Sequence, residues 1–150
     1  MAYTLQAILG RSEVLYGANL QGTKLVPLLS GVSMLPLGRA FLEARGAPFL
    51  PLTDGGETSL PSTIREVCAQ LAEGGDVAYV EAEFSGGEGI QASALFHRGS
   101  VQDPPRLATD AINVALQALG VNPPAGTDEF SAVGLGAHRD TEQWLSSAGA

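Results

Sequence analysis

The chain has 150 residues, 45% of them hydrophobic, and sixteen Asp and Glu against eight Lys and Arg give a net charge of −8. Such a length fits one domain with an ordinary core, and this much apolar content with only 16% charged residues excludes a disordered tail. The acidic balance excludes the clustered basic face that nucleic acid or an anionic membrane surface requires, and no run approaches the roughly 18 apolar residues of a membrane span.

Tyr3, Leu5, Ala7 and Leu9 alternate with more polar neighbours and predict a first strand. The N-terminus lacks the basic start and apolar run of a secretory signal. Ser12 can cap a short helix through Ala18, closed by Gly22. Lys24–Leu29 and Val32–Leu37 read as a hairpin around Ser30-Gly31, and Pro27 and Pro36 place at least one of these runs at a sheet edge. A helix from Arg39 to Arg45 stops at Gly46. Prolines and glycines then mark a loop over 47–60, with Leu50 and Leu52 packing down onto the core. Ile64, Val67, Cys68 and Leu71 fall on one helical stripe. With Cys68 the only cysteine, no internal disulfide can form, and a cytoplasmic location is expected.

Asp76–Ser85 and Ile90–His97 are strand-like runs joined by Gly86-Gly87-Glu88-Gly89. Ala78, Val80, Ala82 and Phe84 share one face, and Tyr79, Glu81 and Glu83 the other, as in an antiparallel sheet covered on one side. Asp103 with Pro104 predicts the start of a long helix carrying Leu107, Ala108, Ala111, Ile112, Ala115, Leu116 and Leu119. Asp128-Glu129 opens a short helix, and Asp140 a last turn presenting Trp144 and Leu145. Strands arrive in hairpins, so the expected architecture is a single α+β domain over 1–150, a mainly antiparallel sheet packed on one side by helices.

Glu81 and Glu83 stand about 7 Å apart on one strand face, a spacing open to acid–base work or cation binding; an exposed, solubilising face is the simpler reading. The Gly86–Gly89 turn lacks the following helix of a phosphate loop. Cys68 lies in an apolar stripe and reads as an inert core residue. No closely spaced metal ligands and no cofactor motif occur. Between Glu66 and His97 there is no Lys or Arg but six acids, from which Glu73, Asp76, Glu81, Glu83 and Glu88 are taken as an acidic patch for a basic partner. The segment from Gly134 to Trp144 holds the alternative site, His138, Arg139, Asp140 and Trp144.

Seven of the eight basic residues are Arg, and abundant Ala, Gly and Pro accompany them, as in a GC-rich bacterial genome. The run from Val77 to Ala92, together with Asp128-Glu129-Phe130 and Gly134-Leu135-Gly136 through Trp144, is similar to a group of small uncharacterised proteins of high-GC bacteria. That resemblance carries no activity. In size, acidity and layout the chain also resembles the immunity proteins that neutralise bacterial toxins, a likeness of type and not of motif. The expectation is a non-enzymatic, acidic protein-binding protein with a basic protein partner, such as an immunity-type inhibitor. The alternatives are a ligand-binding protein or enzyme combining Glu81 or Glu83 with the His138 segment, and an accessory subunit of a larger assembly.

Overall fold

The alternation at the N-terminus forms β1 (Tyr3–Arg11), which has antiparallel neighbours on both sides. The computed structural model describes residues 2–18, 20, 23–85, 88–98 and 100–148, with backbone only at 88 and 148. After α1 (Ser12–Ala18), β2 (Val26–Pro27) and β3 (Val32–Pro36) make the expected hairpin. Ser30 and Gly31 take φ of 61° and 76°, the two left-handed residues that a tight primed turn needs. β2 is the sheet edge, so Pro27 sits where a missing N–H breaks no ladder. The helix α2 (Arg39–Arg45) ends on Gly46 in the left-handed conformation. In α3 (Ser62–Leu71) the stripe Ile64, Val67, Cys68 and Leu71 is buried.

The central hairpin is β4 (Val77–Ser85) and β5 (Glu88–His97), followed by β6 (Ser100–Val101). Gly22 and the Gly86-Gly87 turn lie outside the described residues. Next come β7 (Arg106–Ala108), α4 (Ala111–Ala118), α5 (Glu129–Ala132), a 3-10 turn at Leu135–Ala137, and α6 (Thr141–Ala148). One antiparallel sheet runs β2-β3-β1-β4-β5-β6, with β7 also on β5. The fold is α+β with an antiparallel sheet.

Two expectations are corrected. No helix starts at Asp103. Arg106–Ala108 instead pairs with Gln91–Ser93 on the outer side of β5, where backbone groups would otherwise stand unpaired. The helix begins at Ala111, and the buried Gln91 caps it from the sheet, its Oε1 accepting from the Ile112 N–H at 2.8 Å. The helical spacing of Leu107 and Ala108 with Ala111 and Ile112 is accidental, and Leu107 is exposed.

The sheet is also covered on both faces, not one. Leu5, Ala7, Leu9, Ala78, Val80 and Ala82 pack under α4, Val133, Leu135 and Trp144. On the other face Ile8, Leu35, Val77, Tyr79, Ala92, Ala94 and Phe96 pack under α1, α2, α3, Leu52 and Leu60. Period-2 alternation reports which residues share a face, and both faces here are apolar enough to need a cover. Among the described residues no helix is long and apolar enough to cross a membrane.

Candidate functional site

Gln6 of β1 and Glu81 of β4 stand opposite each other in the register, and both are fully buried. A carboxylate in that position is tolerated only if both oxygens find donors. Glu81 Oε1 accepts from the Thr53 N–H at 2.8 Å and the Thr53 hydroxyl at 2.9 Å. Its Oε2 accepts from the Leu52 N–H at 3.1 Å and the Tyr79 hydroxyl at 2.6 Å. Tyr79 accepts from Gln6 Nε2 at 2.9 Å. The same amide nitrogen reaches the Pro48 carbonyl at 3.1 Å, and Gln6 Oε1 accepts from the Leu50 N–H at 3.0 Å. Burial, and then the Glu81 charge beside it, pushes the Tyr79 hydroxyl well above the ordinary tyrosine range, so it remains a donor.

This network fastens residues 48–53 to the sheet. Leu50 is fully buried with φ of 43°, a left-handed conformation that costs a branched residue about 1–3 kcal/mol and persists only where its surroundings impose it. Between the two pinned residues Pro48 and Leu50, the ring of Phe49 is 57% exposed. A large apolar side chain thus stands in solvent on a backbone that is held from both sides.

Phe49 borders a groove of about 540 Å³ between α2 and the start of α6. Leu37, Leu42 and Thr141 are buried in its floor, while Arg39, Glu43 and Glu142 are exposed around it. The wall from 139 to 142 is set by β1 and α2. The Thr4 N–H donates to the Arg139 carbonyl at 2.8 Å, the Gln6 N–H to Thr141 Oγ1 at 3.0 Å, and the Arg39 N–H to Glu142 Oε2 at 2.9 Å. The approach is close at Gly38, where a Cβ would lie 2.7 Å from Glu142 Oε2 and 2.3 Å from Leu145 Cδ1, so that both side-chain ends would have to shift.

Of the residues expected to bind a partner, one is not on the surface. Glu73 is exposed at the end of α3, and Asp76 is hydrogen-bonded to His97 Nδ1. Glu83 is half-buried, and the Glu88 side chain lies outside the described residues. Glu81 is the correction: it lies on the predicted face, but residues 50–53 cover it, so it presents no charge to a partner. With both oxygens engaged by four donor groups it also has no free position for acid–base work.

The alternative segment is built into the scaffold. The His138 ring meets Trp144 edge-on, with centroids 4.6 Å apart. Arg139 lends its backbone to the edge of β1, Asp140 Oδ1 caps α6 by accepting from the Gln143 N–H at 2.8 Å, and Trp144 is buried. Glu81 and His138 are not brought together. Of that segment Asp140, Thr141 and Glu142 line the groove. The groove residues Arg39, Glu43, Phe49 and Glu142 were not singled out by the sequence. The one local signal was an aromatic residue in a loop between Pro48 and Pro51.

Among the described residues, no three His, Cys, Asp or Glu side chains stand close enough to hold a metal ion. Cys68 is fully buried, and burial drives its thiol pKa far up. Its labelling by a thiol reagent at neutral pH is expected to be slow in the native protein and fast in urea. Cys68→Ala is expected to fold at a cost of about 1 kcal/mol from the small cavity. Rapid labelling of the native protein would contradict the packing described for α3. Compared with family models, curated proteins and solved structures, the chain finds no match.

Proposed function

We propose that the protein is an acidic binding protein whose partner is a basic protein. The observation that carries this reading is unbalanced surface charge. Acids outnumber Lys and Arg sixteen to eight, and among the described residues only Glu13 and Asp110 pair with an arginine, while Asp76 meets His97. Glu43, Asp54, Glu57, Glu66, Glu73 and Glu142 are exposed without such a partner there. An excess of one sign over a surface steers an oppositely charged partner into contact, and acts more on association than on dissociation. Inhibition of a basic toxin is the narrower form of this proposal.

The test is binding kinetics with the partner recovered from the native host. The association rate is expected to fall at least tenfold between low and high salt, because screening shortens the range of attraction. Glu66→Lys with Glu73→Lys, both on exposed positions of α3 and its C-terminal turn, is expected to slow association severalfold and leave dissociation nearly unchanged. A partner that is itself acidic, or an association rate indifferent to salt and to both reversals, would refute the reading.

A further inference from the structure

We propose that the groove between α2 and α6 receives a peptide segment of the partner in which a bulky apolar side chain adjoins an arginine or lysine. This rests on the partner-binding reading and assigns it a place and a recognition chemistry. The apolar half of the groove is Phe49, Leu37 and Leu42, two of them buried beneath and one exposed beside the opening. Its volume of about 540 Å³ falls within the range of clefts that enclose a small ligand or a pair of side chains.

The charged half selects the neighbour of that apolar group. Glu43, Asp140 and Glu142 line the groove against a single cation, Arg39, so its lining carries two net negative charges. Each carboxylate keeps accepting capacity. Asp140 caps α6 through Oδ1 and Glu142 binds the Arg39 N–H through Oε2; among the described residues Oδ2, Oε1 and the Glu43 carboxylate have no partner. A guanidinium or ammonium group fits that distribution, and an anionic segment does not.

The frame is set before anything binds. Gln6 holds the residues on either side of Phe49 through the Pro48 carbonyl and the Leu50 N–H, and Leu50 is kept in its left-handed conformation. Backbone strain that its surroundings impose clusters at active sites and ligand clamps. Ordering the loop in advance removes a cost that binding would otherwise carry.

The experiment titrates the intact protein, followed by backbone amide NMR, with blocked hexapeptides. One alternates Leu and Arg, a second alternates Ser and Arg, and a third alternates Leu and Glu. Saturable shifts at Glu43, Phe49 and Thr141 are expected with the Leu–Arg peptide, at least tenfold weaker with the Ser–Arg peptide, and absent with the Leu–Glu peptide. Phe49→Ser, at an exposed position, is expected to weaken Leu–Arg binding at least tenfold, and Glu43→Gln severalfold with a shallower salt dependence. Equal binding of the Leu–Arg and Ser–Arg peptides, shifts confined to other surfaces, or indifference to Phe49→Ser would overturn the proposal. So would concentration-dependent self-association that Phe49→Ser abolishes, since the occupant would then be a second copy of the chain. If the native partner binds Phe49→Ser as tightly as wild type with its salt dependence intact, the groove is not the site while the basic-partner reading survives.

Discussion

Replacing Glu81 with Leu is expected to destabilise the protein by about 3–5 kcal/mol. The substitution removes the acceptor of the Leu52 and Thr53 N–H groups and of the Tyr79 hydroxyl; Leu52 and Tyr79 are buried and Thr53 is half-buried. Each buried donor left without a partner costs about 1–3 kcal/mol, more than the net worth of the hydrogen bond it lost. Glu81→Gln should cost less, about 1–3 kcal/mol, because its carbonyl oxygen still accepts from Thr53 while its amide group faces donors. Urea denaturation gives the stabilities, and hydrogen exchange gives the location. The Leu50 and Leu52 amides should lose protection in both variants before β4 does. A Leu variant within 1 kcal/mol of wild type would mean that water reaches these groups and the network does not hold the loop.

Trp144→Ala is expected to cost a similar amount, about 3–5 kcal/mol, for a different reason. The indole is buried among the residues packed beneath α4 and against the His138 ring, so truncation leaves a cavity and not an orphaned donor. Its Nε1 has no hydrogen-bond partner among the described residues. Trp144→Phe therefore loses no hydrogen bond and leaves a smaller cavity, so it should cost less than the Ala variant, about 1–3 kcal/mol. For a chain of this length the Ala variant should melt on the order of 10 °C lower, measured by far-ultraviolet circular dichroism because the only tryptophan is gone. Equal losses for Ala and Phe would show that the ring nitrogen matters and that the cavity argument is incomplete.

These two residues mark how far the sequence could be read. Local punctuation was legible, because Ser30-Gly31 and Gly46 act through their own backbone and need no distant partner. The face assignment along β4 was legible too, since a period of two is a property of the strand itself. What covers that face was not. Glu81 owes its burial to Leu52 and Thr53, which are far from it in the chain and lie in a loop whose Asp54-Gly55-Gly56-Glu57 stretch reads as solvated. Trp144 stood out as the lone tryptophan, but the sequence placed it with His138, Arg139 and Asp140 in an alternative site. Its burial beneath α4 depends on residues far from it in the chain. The groove was invisible for the same reason as the cover on Glu81. It joins Thr4, residues 37–49 and residues 140–142, three segments with no common period.

The central position of β1 has a kinetic consequence. The strand precedes its partners in the chain, and its earliest neighbour, β3, covers only Ala7 to Arg11. Its other side waits for β4, where Tyr3 ends up opposite Phe84, and its first residues wait for Arg139 and Thr141 to supply acceptors. Pairings so far apart in the chain bear their loop-closure entropy before any contact compensates it, which places refolding in the slower range of small domains, milliseconds to seconds. On the ribosome the apolar run from Leu5 to Leu9 therefore spends several seconds half-covered, at about 5–20 residues per second. The wall of the groove, carried by α6, follows all the strands in the chain and is placed after them.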